Sequence, residues 1–241
     1  RFIEAFFSVE PFKSRKSDFN VAAVYSTSPV SGIRLQESNY YPANVLGCTY
    51  FTFETERYVL TEREWTVRDY ASLAPYDFLV ILLNSTKYGG GGIYNLYITA
   101  SAKTSTAAYV MVHEMGHHMA GLADEYYTSD VAYQVTVPKY EPWEFNITAL
   151  LNPQSLKWKN MVEPNTPIPT PWQKEQYEQT GKIDINGEPY YGKVGVFEGA
   201  GYLSKGMYRP EVDCIMFSHS LKFCRVCHQG LSRVMDMYVA K

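Results

Sequence analysis

The clearest pattern in the chain lies near its middle, where Ala108, Val112, Met115, Met119 and Leu122 recur three and four residues apart. That spacing lines one face of a helix with apolar groups and predicts a core-facing helix from about Ala107 to Ala120. Thr104-Ser105-Thr106 supplies capping hydroxyls before it. Gly121, after it, can adopt the left-handed conformation that turns a chain out of a helix. A second helical spacing, Phe223, Cys227, Leu231, Val234 and Tyr238, predicts a C-terminal helix.

Strand signals come earlier. Phe2 to Phe12 is apolar and reads as a strand or a packing arm, followed by the basic turn Lys13-Ser14-Arg15-Lys16. Phe19 to Tyr25 reads as a buried strand ending in the loop Ser26-Thr27-Ser28-Pro29. Ser31 to Gly47 is a polar excursion, and Thr49 to Phe53 a short strand. Thr61 and Glu64 match the capping box, in which a hydroxyl and a carboxylate each satisfy an amide at a helix start. A helix from about Glu62 to Leu73 is therefore expected, stopped by Pro75. Phe78-Leu79-Val80-Ile81-Leu82-Leu83 is apolar on both faces and reads as a central strand flanked by helices.

Tyr88-Gly89-Gly90-Gly91-Gly92-Ile93 reads as a glycine turn leading into an edge strand that runs on to Ile98. No Lys-Ser or Lys-Thr follows the glycines, which argues against a phosphate loop. Backbone groups at Gly91, Gly92, Ile93 and Tyr94 can pair with an extended peptide as one more strand, although a plain solvent edge fits the same residues. Beyond Tyr127 the chain is poorly periodic, with most of its 13 prolines after residue 137 and no internal repeat.

Composition narrows the class. At 241 residues the chain can bury a full core, as one domain or as two small lobes around a cleft. With 46% apolar and 20% charged residues it reads as soluble and globular, and no apolar run approaches the roughly 20 residues of a membrane span. A net charge of −3 argues against a nucleic-acid partner. Arg1 in place of an initiator Met, with no apolar signal segment after it, reads as a piece of a longer protein. The 21 tyrosines suit a surface that handles polypeptide or carbohydrate and suit ordinary packing as well.

The predicted central helix also carries chemistry: His113-Glu114-Met115-Gly116-His117. Residues four apart lie one turn from each other on one face, so the two imidazoles can grip one metal ion. Glu114 then sits where it can take a proton from a metal-bound water. Asp124, three residues past Gly121, offers a third ligand, with Glu125 beside it as the alternative. Three protein ligands leave one tetrahedral position for water, as in catalytic zinc sites. His118 falls off the face shared by residues 113 and 117 and is expected to make a structural hydrogen bond.

The four cysteines are ambiguous. Cys48 stands alone, whereas Cys214, Cys224 and Cys227 cluster and could form a disulfide with one thiol left over. Cys224-Arg225-Val226-Cys227-His228 formally matches a c-type haem attachment sequence, half a zinc knuckle or a redox pair. No second Cys-x-x-Cys accompanies it, which favours buried or disulfide-bonded cysteines on the C-terminal helix.

The motif with Gly121 and Asp124 resembles that of the metzincin zinc proteases, His-Glu-x-x-His-x-x-Gly-x-x-His or Asp, with one extra residue before the glycine. Asp213-Cys214-Ile215-Met216-Phe217 looks like their Met-turn. Together with Tyr88-Gly89-Gly90-Gly91-Gly92-Ile93 and Leu122-Ala123-Asp124-Glu125-Tyr126-Tyr127, these segments are similar to the bacterial IgA-peptidase family, the igalysins, over roughly residues 19 to 230.

The resemblance implies a single α/β (α+β), zincin-like catalytic domain over residues 1–241. Its N-terminal lobe, to about residue 121, would hold a mixed twisted sheet with an antiparallel edge strand and the active-site helix. An irregular lobe from about 122 would end in a helix, with substrate in the cleft between. The implied activity is that of an exported zinc endopeptidase acting on extended protein segments. The founding activity of the family cleaves the hinge of immunoglobulin A. One catalytic Zn2+ would be held by His113, His117 and Asp124, with Glu114 as general base and Met216 as an apolar floor. Tyr202 and Tyr208 are candidates to steady the oxyanion, and each serves equally as packing. A zinc-stabilised protein- or glycan-binding module without catalysis, and a c-type haem protein, are the other classes open.

Overall fold

A computed structural model describes residues 2–129 and 135–239. Over these the chain is α+β, with five α-helices and three small sheets among the described residues. It divides into two compact units, residues 1–8 with 12–120 and residues 9–11 with 121–241. No helix among the described residues is long and apolar enough to cross a membrane.

The first unit opens with α1 (Phe2–Phe6), which packs on α3 (Ala107–Ala120). Phe6 stacks on Phe12 with ring centroids 4.1 Å apart. The expected strand over Phe2–Phe12 is thus a short helix and a turn, used as a packing arm. Phe19 to Tyr25 forms no strand either: Val21, Val24 and Tyr25 are exposed, because no neighbouring strand offers this segment a ladder.

β1 (Cys48–Thr49) pairs antiparallel with β2 (Leu60–Thr61), and α2 spans Glu64–Ala71. The capping box does not form. Thr61 belongs to β2, and its hydroxyl accepts from the Arg63 amide while donating to the Leu46 carbonyl. Glu64 pairs instead with Arg68, one turn on.

The main sheet of this unit holds β3 (Val80–Leu83), β4 (Gly90–Ile93) and β5 (Tyr97–Ser101) in the order β3-β5-β4. β5 runs parallel to β3, Val80 opposite Ile98, and antiparallel to β4, Gly90 opposite Ala100. Two expectations are corrected here. β3 is an outer strand, with Leu82 exposed, and the centre is β5, all of whose residues are buried. The glycines, moreover, are the edge strand itself, and the turn comes after them at Tyr94–Leu96.

The glycines have a steric cause. α3 lies on β4 and β5. A Cβ on Gly90 would meet the Thr99 carbonyl at 2.6 Å and Val110 Cγ1 at 2.7 Å, and one on Gly92 would meet the Glu114 carbonyl at 2.8 Å. Alternate strand residues face the helix, so glycine at 90 and 92 lets its backbone come this close.

In the second unit Gly121 takes the left-handed conformation, φ 57°, immediately past α3. Helix α4 spans Lys174–Thr180. β6 (Phe197–Ala200) and β7 (Leu203–Arg209) form an antiparallel hairpin with a register shift between Glu198 and Ala200. Bridges from Thr148 to Tyr208 and from Thr170 to Phe197 extend it. Ile147, Ala149, Ala200 and Met207 make a small core against it.

Arg209 is fully buried, its guanidinium 3.8 Å from the Phe217 ring centre and 4.2 Å from that of Trp172. It donates to the carbonyls of Glu198, Gly199 and Val212. α5 spans Arg225–Tyr238 and buries Val226, Cys227, Gly230, Leu231 and Met235. Tyr238, placed on the apolar stripe by its spacing, is exposed. All four cysteines are free and buried, so of the two alternatives, buried or disulfide-bonded, the structure has the buried one.

Candidate active site

α3 carries the two histidines one turn apart. His113 is buried and His117 half-buried, and their Nε2 atoms stand 3.1 Å from each other. The ring of Tyr109, one turn earlier, places its hydroxyl 3.4 Å from His113 Nδ1, which leaves Nε2 aimed at His117. Two nitrogens each about 2.0–2.1 Å from a tetrahedral zinc would be about 3.3 Å apart. The pair therefore has the separation that one ion requires.

Glu114 lies between them over the edge strand. Its Oε2 and carbonyl oxygen would each be 2.8 Å from a Cβ on Gly92, and His117 Cβ would be 3.2 Å from it. The first unit thus gathers His113, Glu114, His117 and Gly92. Gly91 and Ile93 continue the same strand, while Tyr94 sits in the turn beyond it and is exposed. The outer side of β4 is engaged at its start, where Gly90 exchanges backbone bonds with Arg57 and Val59.

His118 points away from this group. Its Nε2 accepts from the Leu79 amide at 3.2 Å, so Nδ1 carries the proton it donates to the Ile93 carbonyl at 3.0 Å. Burial lowers its pKa, consistent with a neutral ring tying β3 and β4 to the helix.

The second unit holds the remaining residues. Asp124 is buried, its Oδ2 accepts from the Tyr202 hydroxyl, and its carbonyl accepts from the Gly201 amide. Tyr202 has a left-handed backbone, φ 66°, at the hairpin turn, which brings its ring back to this carboxylate. Tyr208, the other candidate, is a mid-strand residue whose amide and carbonyl bridge Thr148. Met216 is fully buried, and its carbonyl accepts from the Glu125 amide at 2.7 Å.

Glu125, the alternative third ligand, faces elsewhere. Its Oε1 accepts from Asn146 Nδ2 at 3.0 Å and from the Cys227 thiol at 3.1 Å, with zero exposure. Asn146 also clasps both backbone groups of Ala123, so this one side chain clamps residues 123–125. Burial pushes the Glu125 carboxyl well above the usual range. The Cys224 and Cys227 thiols are likewise raised by burial. Burial also opposes charge on Cys214, but hydrogen bonds from the other two thiols and from backbone amides outweigh it and favour the thiolate. Sulfurs sealed in this way have no face for a porphyrin, which removes the haem reading. Tyr109 and Asn146 carried no motif and went unnoticed in the sequence. The Tyr109 hydroxyl was traceable in principle, since it lies four residues before His113.

Two imidazoles one turn apart can hold a metal ion, and the carboxylate between them is placed to accept a proton beside it. Comparison with family models makes the class specific. Residues 1–188 and 182–235 match the IgA peptidase M64 model, and the chain belongs to that family of peptidases. No curated protein matches the chain.

Proposed function

We propose that this peptidase is a zinc-dependent endopeptidase that cleaves extended protein segments. The observation that carries the reading is the 3.1 Å separation of His113 Nε2 and His117 Nε2 beside the Glu114 carboxylate. His113, His117 and Asp124 are the proposed ligands. A bound zinc ion supplies Lewis acidity, polarising a carbonyl and lowering the pKa of water to about 7.

The chain's own groups supply the rest. Glu114 takes the proton of the attacking water on its carboxylate and passes it to the leaving amine. Tyr109 fixes the His113 ring, and Tyr202 holds the Asp124 carboxylate, the roles that outer partners play around metal ligands. Beyond Gly90 the edge of β4, through Gly91, Gly92, Ile93 and Tyr94, is the proposed rail for an extended substrate. Export from a bacterial cell goes with this reading, because an immunoglobulin A hinge or another secreted linker would be met outside it.

The test is hydrolysis of a panel of exposed linker peptides, immunoglobulin A hinge sequences included. Activity should vanish with a chelator and return with zinc. Glu114→Gln should lower turnover by about 100- to 10,000-fold while the zinc content stays that of the parent. A Glu114→Gln chain with near-parental turnover would refute the mechanism.

A further inference from the structure

Cys214, Cys224, Cys227 and Glu125 are a set of side chains for which the peptidase chemistry has no use. One donor atom from each, three sulfurs and a carboxylate oxygen, lie within 4.8 Å of one another, and all four residues are fully buried. We propose that they form a second, structural metal site that binds zinc through three thiolates and one carboxylate. All four belong to the same unit, and the proposal does not depend on the catalytic reading.

The donor chemistry points to zinc. Structural zinc sites are closed, four-coordinate and rich in thiolate, with sulfur at about 2.3 Å and carboxylate oxygen at about 2.0–2.2 Å. Around one such ion the donors stand roughly 3.5–3.8 Å apart, so even the widest pair here needs to close by only about 1 Å. Cys227 Sγ already lies 3.1 Å, and Cys224 Sγ 3.9 Å, from Glu125 Oε1.

The surroundings are built for thiolates. The amides of Met216 and Cys224 point at Cys214 Sγ from 3.5 and 3.2 Å, and the amide of Cys227 points at Cys224 Sγ from 3.4 Å. Cys224 caps α5, so Cys-x-x-Cys presents two sulfurs from the first turn of a helix, and the turn carrying Met216 brings the third. Such amide bonds are the outer support that orients metal ligands and tunes their charge.

Glu125 adds the independent sign. Its Oε2 is buried with no hydrogen-bond partner, while Asn146 grips the other oxygen. An unsatisfied carboxylate oxygen sealed from water is costly, and a cation is the partner that would compensate it. Three thiolates and a carboxylate around Zn2+ would keep a net negative charge, and buried Arg209 supplies a positive charge that acts on Glu125. The site would tie together three segments that otherwise share little regular structure: the stretch holding Asp124, the Met216 turn and the start of α5.

The test separates the two metals. The purified full chain should carry about two zinc ions, and the His113→Ala/His117→Ala double variant about one, with X-ray absorption showing sulfur neighbours at about 2.3 Å. Cobalt in place of zinc in that double variant should give sulfur-to-metal charge-transfer absorption in the near ultraviolet. Glu125→Gln, nearly isosteric, should weaken this zinc at least about tenfold in competition with a chromophoric chelator. A metal-free double variant, a shell of nitrogen and oxygen only, or a disulfide among the three cysteines by mass spectrometry would overturn the proposal. So would a Glu125→Gln chain of unchanged affinity. A sulfur-bound zinc in a chain that hydrolyses nothing would instead sink the catalytic reading and leave this one standing.

Discussion

Replacing Gly92 with alanine adds a single carbon where β4 meets α3, and that carbon has no room. It would lie 2.8 Å from the Glu114 carbonyl oxygen, 2.8 Å from Glu114 Oε2 and 3.2 Å from His117 Cβ. Even a close carbon–oxygen contact is about 3.3–3.6 Å, so something must retreat by about 0.5 Å or more. The carboxylate can swing away. The carbonyl cannot, because it is fixed in the helix ladder, and β4 is held from the other side by its pairing with β5. Overpacking of this kind costs about 1–3 kcal/mol. At roughly 2–4 °C per kcal/mol, Tm should fall by about 2–12 °C. The same shift moves the proposed general base and the His117 backbone, and misplacement of about 1 Å can cost about 100-fold in rate.

Gly91 supplies the control. The nearest atoms to a Cβ there would be Leu60 Cδ2 at 3.3 Å, the Val59 carbonyl at 3.4 Å and Thr99 Oγ1 at 4.0 Å, contacts that a small shift relieves. Gly91→Ala should therefore stay within about 1 kcal/mol of the parent, helped by the lower entropy of its unfolded chain. Both variants would be melted calorimetrically, assayed for zinc and timed on a fluorogenic linker peptide. Parental stability in Gly92→Ala, or an equal loss of stability in Gly91→Ala, would refute the close helix–strand approach as the reason for the glycines.

Three further outcomes are expected. Met216 is fully buried, so Met216→Leu should cost less than about 1.5 kcal/mol and Met216→Ala about 2–5 kcal/mol in denaturant melts; an unaffected Met216→Ala would contradict the packing role. Tyr202→Phe removes the hydroxyl that donates to Asp124 and should weaken the proposed catalytic zinc by about 10- to 100-fold in a chelator titration; unchanged affinity would show that this bond does not position the carboxylate. Burial pushes the Cys48 thiol up to about 12, so an alkylating reagent at pH 8 should label it only in the unfolded chain, and rapid labelling of native protein would show that the site opens.

The sequence was most readable where one physical effect dominates. Helix α3 follows from its apolar stripe and from Gly121, and its observed bounds, Ala107–Ala120, are the expected ones. Elsewhere tertiary contact overrode the local signal. The apolar run at Phe19 to Tyr25 has strand composition but no partner strand, and it lies exposed. Thr61 and Glu64 have capping-box spacing, yet pairing of Thr61 with Cys48 draws it into β2 before the helix begins. The glycines at 90 and 92 read as a turn because chain reversal and close approach leave the same mark in a sequence. Only the position of α3 tells them apart. Tyr109 and Asn146 were illegible for a simpler reason: their roles depend on neighbours brought near by folding.

The adjacent acids Asp124 and Glu125 show how much one residue of register decides. The Asp124 and Tyr126 carbonyls accept from Gly201 and Tyr202 of the hairpin, whereas the Glu125 amide donates to Met216. Backbone bonds that alternate between two neighbours accompany side chains that alternate too, as along a strand. Asp124 accordingly meets the Tyr202 hydroxyl, and Glu125 meets Asn146 and Cys227. Spacing alone left either acid free to complete the histidine pair, since each lies within one residue of the expected place. What surrounds each acid separates them: Glu125 lies among three cysteines, bonded to Asn146 and Cys227, while Asp124 accepts from Tyr202 and is the acid in the proposed ligand set. Asn146, by gripping the Ala123 backbone and the Glu125 carboxylate together, holds the register of this stretch whatever the length of the turn that leads into it, so the extra residue before Gly121 need not carry the two acids past their neighbours.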